Sequence, residues 1–237
     1  MDLKSIYWTK EQYKNFMDII KCSADTKFIK FNKKLIFTNY KFIGIKTNIL
    51  RSYAKEIVKG DPYNFLKLCK KDYYEEVLLR GMVIGYLKTD FENLIPLVES
   101  YIEDIDNWAL CDSFCSNLKI AKKLKKEFWQ YIKICIKLPN PYKVRFSIVM
   151  MLDYYLEHDY IDDVLNMIDD VSLDDYYVKM AKAWLLSVSY IKFRDKTLDY
   201  LKTSNVDDWT YNKSLQKAIE SRRVGIEEKE ILRKLKR

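Results

Sequence analysis

Glycine and proline are both scarce in this chain, with 5 and 4 residues in 237. Sheets joined by tight hairpins need more of each, because turns draw on the positive φ of one and the fixed φ of the other. The same shortage leaves no P-loop, GxGxxG or GxSxG stretch, which excludes phosphate cradles of that kind. Histidine occurs once, at His158 between Glu157 and Asp159, and reads as a surface residue. A His-based metal centre or a Ser/Cys–His pair would have to be built on it, so no metal and no cofactor are expected. No run of eighteen apolar residues exists, so no membrane span is expected. The opening MDLKSIYWTK lacks the apolar core of a secretory leader. The cysteines are odd in number (Cys22, Cys69, Cys111, Cys115 and Cys135), which argues for a reducing, cytoplasmic setting. Cys111 and Cys115 have no other Cys or His at ligand spacing and read as buried thiols.

Helix-forming residues fill the space between these few breakers, and 49% of the chain is apolar. Apolar residues recur at spacings of three and four. Phe91, Leu94, Ile95, Val98, Tyr101, Ile102 and Ile105 make one stripe. Tyr177, Ala181, Trp184, Leu185, Val188 and Ile191 make another, and Arg145 heads a third with Ile148, Val149, Leu152 and Tyr155. Such stripes are amphipathic helices. The pattern predicts fourteen, near 9–22, 26–37, 47–59, 62–70, 73–88, 94–105, 108–123, 125–137, 141–157, 160–170, 174–193, 194–203, 208–223 and 226–236. Pro96 is placed in an opening turn, where its missing N–H costs nothing. Connections are short and helix pairs return every 30–40 residues. That is the pattern of an all-α, HEAT-like superhelix forming one domain over 1–237.

Charge is segregated along the chain. Residues 1–60 hold 13 Lys/Arg against 5 Asp/Glu, and residues 119–145 hold 9 against one. Residues 153–175 hold nine acids and no Lys or Arg. Two separate basic stretches point to a polyanion, nucleic acid foremost, along a concave basic groove. Solvated helix faces are the plainer reading of either run.

Three positions stand out as carriers of chemistry. Trp108 and Asp112 lie four residues apart in NWALCDSFCS, near the start of a helix capped by Asp106 or Asn107. That spacing puts an indole and a carboxylate on one face. Asp112 sits beside apolar Cys111 and Cys115, and Asp is a poor helix-interior residue without a reason. Arginine is not the default cation here, with 8 Arg against 34 Lys. Arg145, at the head of an apolar stripe, has to snorkel or find a carboxylate or phosphate. Trp184 reads as core, unless its face lines a groove.

Taken in order, these stretches resemble the AlkD-like DNA alkylation repair family. IPLVESYIEDIDNWALCDS (95–113) is similar to that family's core motif, with its Trp-x-x-x-Asp on Trp108 and Asp112. RFSIVMML places the family's Arg on Arg145, and YYVKMAKAWLLS places its second groove Trp on Trp184. KFIGIKTNILR (41–51) is similar to the F-x-GI-x-T-P-x-x-R segment, which implies backbone contacts for Lys46, Thr47 and Arg51. SLQKAIES (214–221) echoes a C-terminal helix. Asn48 stands in place of Pro, Leu35 in place of an aromatic, and Asn107 in place of a second Trp. The resemblance implies a monomeric DNA glycosylase that releases cationic N3- and N7-alkylpurines from alkylated double-stranded DNA. Asp112 would act with Trp108, Arg145 and Trp184, and Lys119, Lys122, Lys123 and Lys126 would bind backbone. A non-catalytic nucleic-acid-binding relative and a protein-interaction scaffold are the alternatives.

Overall fold

The computed structural model describes residues 2–237. Its chain folds as two compact units, residues 1–125 and 126–237. The first contains α1 (Lys10–Cys22), α2 (Thr26–Leu35), α3 (Thr47–Ile57), α4 (Pro62–Leu68), α5 (Tyr74–Tyr86), α6 (Phe91–Ile102), α7 (Trp108–Asn117) and a 3-10 turn at Lys119–Lys122. From the boundary onward come α8 (Lys125–Cys135), α9 (Pro141–Tyr154), α10 (Ile161–Asp169), α11 (Tyr176–Lys192), α12 (Arg194–Thr203), α13 (Asp208–Glu220) and α14 (Ile226–Lys234). The only extended pairing among the described residues is a single bridge between Lys41 and Tyr73. Among the described residues the fold is all-α, with fourteen α-helices near the predicted positions, although α6 starts at Phe91 rather than at 94 and α7 ends at Asn117 rather than at 123.

Most starts are chemically marked. Asp25, Asp61, Asp90, Asn107, Asn140, Asp175 and Asp207 each accept backbone N–H bonds from the first turn that follows them. Such caps satisfy donors that the helix itself cannot. One expectation fails here. Asp90 starts α6 three residues early, accepting from the Asn93 N–H at 2.9 Å, so Pro96 lies inside the helix. Its missing donor falls on an exposed part of that helix, where Glu92 and Pro96 both reach solvent.

Alternate helices pack side by side in each unit. In the first, α5 lies against both α3 and α7; in the second, α11 lies against both α9 and α13. Glycine allows the closest approaches around α5. A Cβ on Gly81 would stand 2.5 Å from the Tyr101 ring, and one on Gly85 would stand 2.9 Å from Asn117. Each row therefore has a middle helix and two flanking helices, and in the first the middle helix is buried almost along its length. The flanking helices α3, α7 and α9 and the middle helix α11 carry Thr47, Arg51, Trp108, Asp112, Arg145 and Trp184.

Candidate functional site

In the first unit the site begins at the N-terminus of α7. Asn107, fully buried, accepts from the N–H groups of Ala109 (3.0 Å) and Leu110 (3.1 Å) and fixes where the helix starts. It therefore serves as the cap, not Asp106. Trp108 is the first helical residue and is 38% exposed. Its indole N–H donates to the Leu35 carbonyl at 3.2 Å, so the ring is held against the end of α2 with part of its surface open. Asp112 follows one turn later, half-buried between the buried thiols Cys111 and Cys115. The pair occupies one face of α7 as the spacing requires.

Asp106 has a different task. Its carboxylate accepts from the Thr38 hydroxyl (2.8 Å), the Asn39 N–H (2.7 Å) and the Asn107 side-chain amide (2.7 Å). It thereby ties the turn after α2 to the start of α7. The Tyr40 hydroxyl donates to the Asp104 carbonyl at 2.7 Å. Burial, with Asp104 and Asp106 nearby, pushes that phenol up to about 12.

The segment read as a backbone contact is also anchored. Glu75, on α5 and 1% exposed, accepts from the N–H groups of Ile43 (2.8 Å), Gly44 (2.7 Å) and Ile45 (3.3 Å). Gly44 has φ +94°, and a Cβ there would lie 2.5 Å from the Asp25 carbonyl oxygen, so glycine is required. Lys46, exposed, then precedes α3, whose first turns present half-buried Thr47 and exposed Arg51. Lys119, Lys122 and Lys123 are exposed on and just after the 3-10 turn.

In the second unit Arg145 is 3% exposed and its Nη1 donates to the Tyr177 carbonyl at 2.6 Å. The guanidinium pairs inside the unit and does not snorkel to its surface. Trp184 is half-exposed, and so are Tyr177, Val188 and Ile191 of the stripe read as core. Ala181 and Leu185 of that stripe are buried, with Val178 and its neighbours beside them. Lys126 is exposed at the start of α8. His158 is exposed, edge-on to Phe193. Among the described residues no group of three or more His, Cys, Asp or Glu is placed to hold a metal ion, and no helix is long and apolar enough to cross a membrane.

With these positions fixed, the model of the DNA alkylation repair enzyme family matches residues 9–223. The chain belongs to that family. No curated protein matches it. Membership makes repair of alkylated DNA the chain's role and DNA its partner. Glu75 escapes sequence reasoning, whereas Asp106, read as a possible cap, instead ties down the 38–39 turn. The available signal was composition: α5 reads VLL…MVIG on every side, and a helix apolar all round is buried. Its charged residues then have to be bonded inside.

Proposed function

We propose that this member of the family is a glycosylase that hydrolyses the N-glycosidic bond of cationic N3- and N7-alkylated purines in duplex DNA. The observation that carries the reading is the first turn of α7. There a half-open indole, oriented by the Leu35 carbonyl, precedes a half-buried carboxylate on the same face. The whole chain, residues 1–237, is taken as one HEAT-like-repeat domain acting as a cytoplasmic monomer without cofactor.

An alkylated N3 or N7 purine already carries positive charge, so it leaves without a proton from a general acid. The chain's one histidine is then not needed for departure. What the reaction needs is a negative group near the sugar as positive charge develops there, and an oriented water. Asp112 supplies both in this reading. At ~4 Å and an effective dielectric near 20, a carboxylate and a unit positive charge attract by about 4 kcal/mol. If all of that appeared only in the transition state, it would be worth about three powers of ten in rate. Trp108 and Trp184 offer ring faces to the deoxyribose and backbone. Lys46, Thr47, Arg51, Lys119, Lys122, Lys123 and Lys126 hold phosphates. Arg145 acts with Asp112 in this reading.

Single-turnover release of 7-methylguanine from methylated duplex tests this. Asp112→Asn lowers the rate by about three powers of ten and leaves duplex affinity within about twofold. Unchanged release would remove the assignment. Absence of release by the unmodified chain, with duplex binding intact, would leave a non-catalytic DNA-binding relative.

A further inference from the structure

Helix α2 is unusual in the first unit because only one of its ten residues, Asn32, is buried. It is nevertheless fixed at both ends. Asp25, its cap, donates its N–H to the Gly44 carbonyl at 3.1 Å, and the Leu35 carbonyl receives the Trp108 indole. Between these anchors a ring face lies open. Phe28 and Phe31 are stacked with their planes 18° apart, and Phe31 is 58% exposed. Just past the helix Phe37 is 74% exposed. Phe37 also lines a cavity of about 780 Å³ with Tyr40 and Phe42; Asp106 lines it too and already holds the Thr38 hydroxyl and the Asn39 N–H. The stretch 26–42 contains five lysines and no acid, and Lys33 and Lys41 stand at the cavity itself.

Open aromatic rings set among lysines, on backbone already held in place, are what unpaired nucleotides bind: bases stack on the rings and phosphates meet the cations. An amphipathic Lys/Phe helix also suits an anionic membrane surface. Membership of a DNA repair family favours nucleic acid over a lipid surface, and supplies the polymer. We infer that α2 and the 36–42 turn form a binding site for unpaired nucleobases of single-stranded DNA. The site adjoins the start of α7, where the Leu35 carbonyl holds Trp108, but needs no alkylated base.

Fluorescence anisotropy of the full chain with a labelled 12-nucleotide oligo-dT, and with a duplex of equal length, tests it. Replacing both Phe31 and Phe37 by Ala lowers single-strand affinity tenfold or more, the loss of stacked bases. The same pair replaced by Tyr keeps the rings and keeps affinity within about twofold. Duplex affinity moves by less than twofold in both. Lys30→Gln with Lys34→Gln reduces the single-strand salt slope by about 1.4, for two phosphates. All four positions are exposed, and circular dichroism confirms that the variants fold. No single-strand binding by the parent chain, an equal loss on both DNAs, or no loss on either would overturn the site. So would loss of binding to phosphatidylserine vesicles in the Ala variant with oligo-dT affinity unchanged, which would assign the helix to membranes. Failure of the glycosylase reading shows separately, as absent base release.

Discussion

The middle helices of the two rows, α5 and α11, are built to different plans. Every residue of α5 from Tyr74 to Gly85 is buried, and three of them are charged: Glu75, Glu76 and Arg80. Each finds partners. Glu75 takes the 43–45 backbone, Glu76 takes the Tyr13 hydroxyl and the Asp72 N–H, and Arg80 takes Asp104 and the Ser100 hydroxyl. By contrast, α11 buries one charge, Lys182, whose Nζ donates to the Val171 carbonyl at 2.8 Å. It leaves an apolar strip, with Trp184, half-open. The difference teaches where each unit places its polar groups. In the first, buried charge holds the loops that precede candidate DNA contacts. In the second, apolar packing does most of the holding, and the middle helix itself shows a candidate residue.

The largest expected effect follows from removing the charge at Glu75. Glu75→Gln keeps the shape but turns an amide group toward backbone donors, so at least one N–H loses its acceptor. Bonds to a charged group are worth about 1.5–3 kcal/mol each. Urea unfolding of the full chain should show a loss of about 3 kcal/mol. Hydrogen exchange at Ile43, Gly44 and Ile45 should accelerate ahead of the core of α3. Unchanged protection of those three amides would break the claim that α5 organises the loop.

Much of this architecture was legible because its signals are local. Caps such as Asp61, Asn140 and Asp175 sit within three residues of the donors they satisfy, and the 3.6-residue period repeats inside each helix. Trp108 and Asp112 were legible for the same reason. The carboxylates of α5 were not, because the donors that Glu75 serves lie 30–32 residues away. Trp184 was ambiguous for a related reason. Apolar periodicity marks a face without saying what covers it, and on α11 the strip of Tyr177, Trp184 and Val188 is only partly covered. At Pro96 two local signals compete: proline favours an opening turn, but Asp90 is a good cap and starts the helix earlier.

A smaller contrast tests whether helix caps share the asymmetry. Asn107 in the first unit is fully buried, and besides capping α7 it donates to Asp106. Asp175 in the second unit is half-exposed and caps α11 alone, accepting from Tyr177 (2.8 Å) and Val178 (3.1 Å). Cap removal costs about 0.5–2 kcal/mol. Asn107→Ala should fall near 2 kcal/mol because Asp106 also loses a donor, and Asp175→Ala should fall near 1. Equal losses in thermal unfolding would show that the cap of α7 is no more integrated than that of α11.

The smallest effect is at Lys182 and is read best through pH. Lys182→Met removes one buried hydrogen bond and keeps an unbranched chain of similar length, so stability at pH 7 should stay within about 1 kcal/mol of the parent. Burial holds the ammonium below the ordinary lysine value of 10.5, with Asp207 and Asp169 opposing the shift. Between the folded value and 10.5 the unfolded chain therefore binds this proton more tightly than the folded one. Stability carried by Lys182 must rise with pH across that window. The tyrosines are common to both proteins and cancel in the difference. The parent should gain on Lys182→Met as pH climbs from 8 toward 10.5, measured by urea unfolding at each step. A difference that stays flat or declines would mean that the amine is solvated in the folded chain, and the second unit would then bury no charge at all on its middle helix.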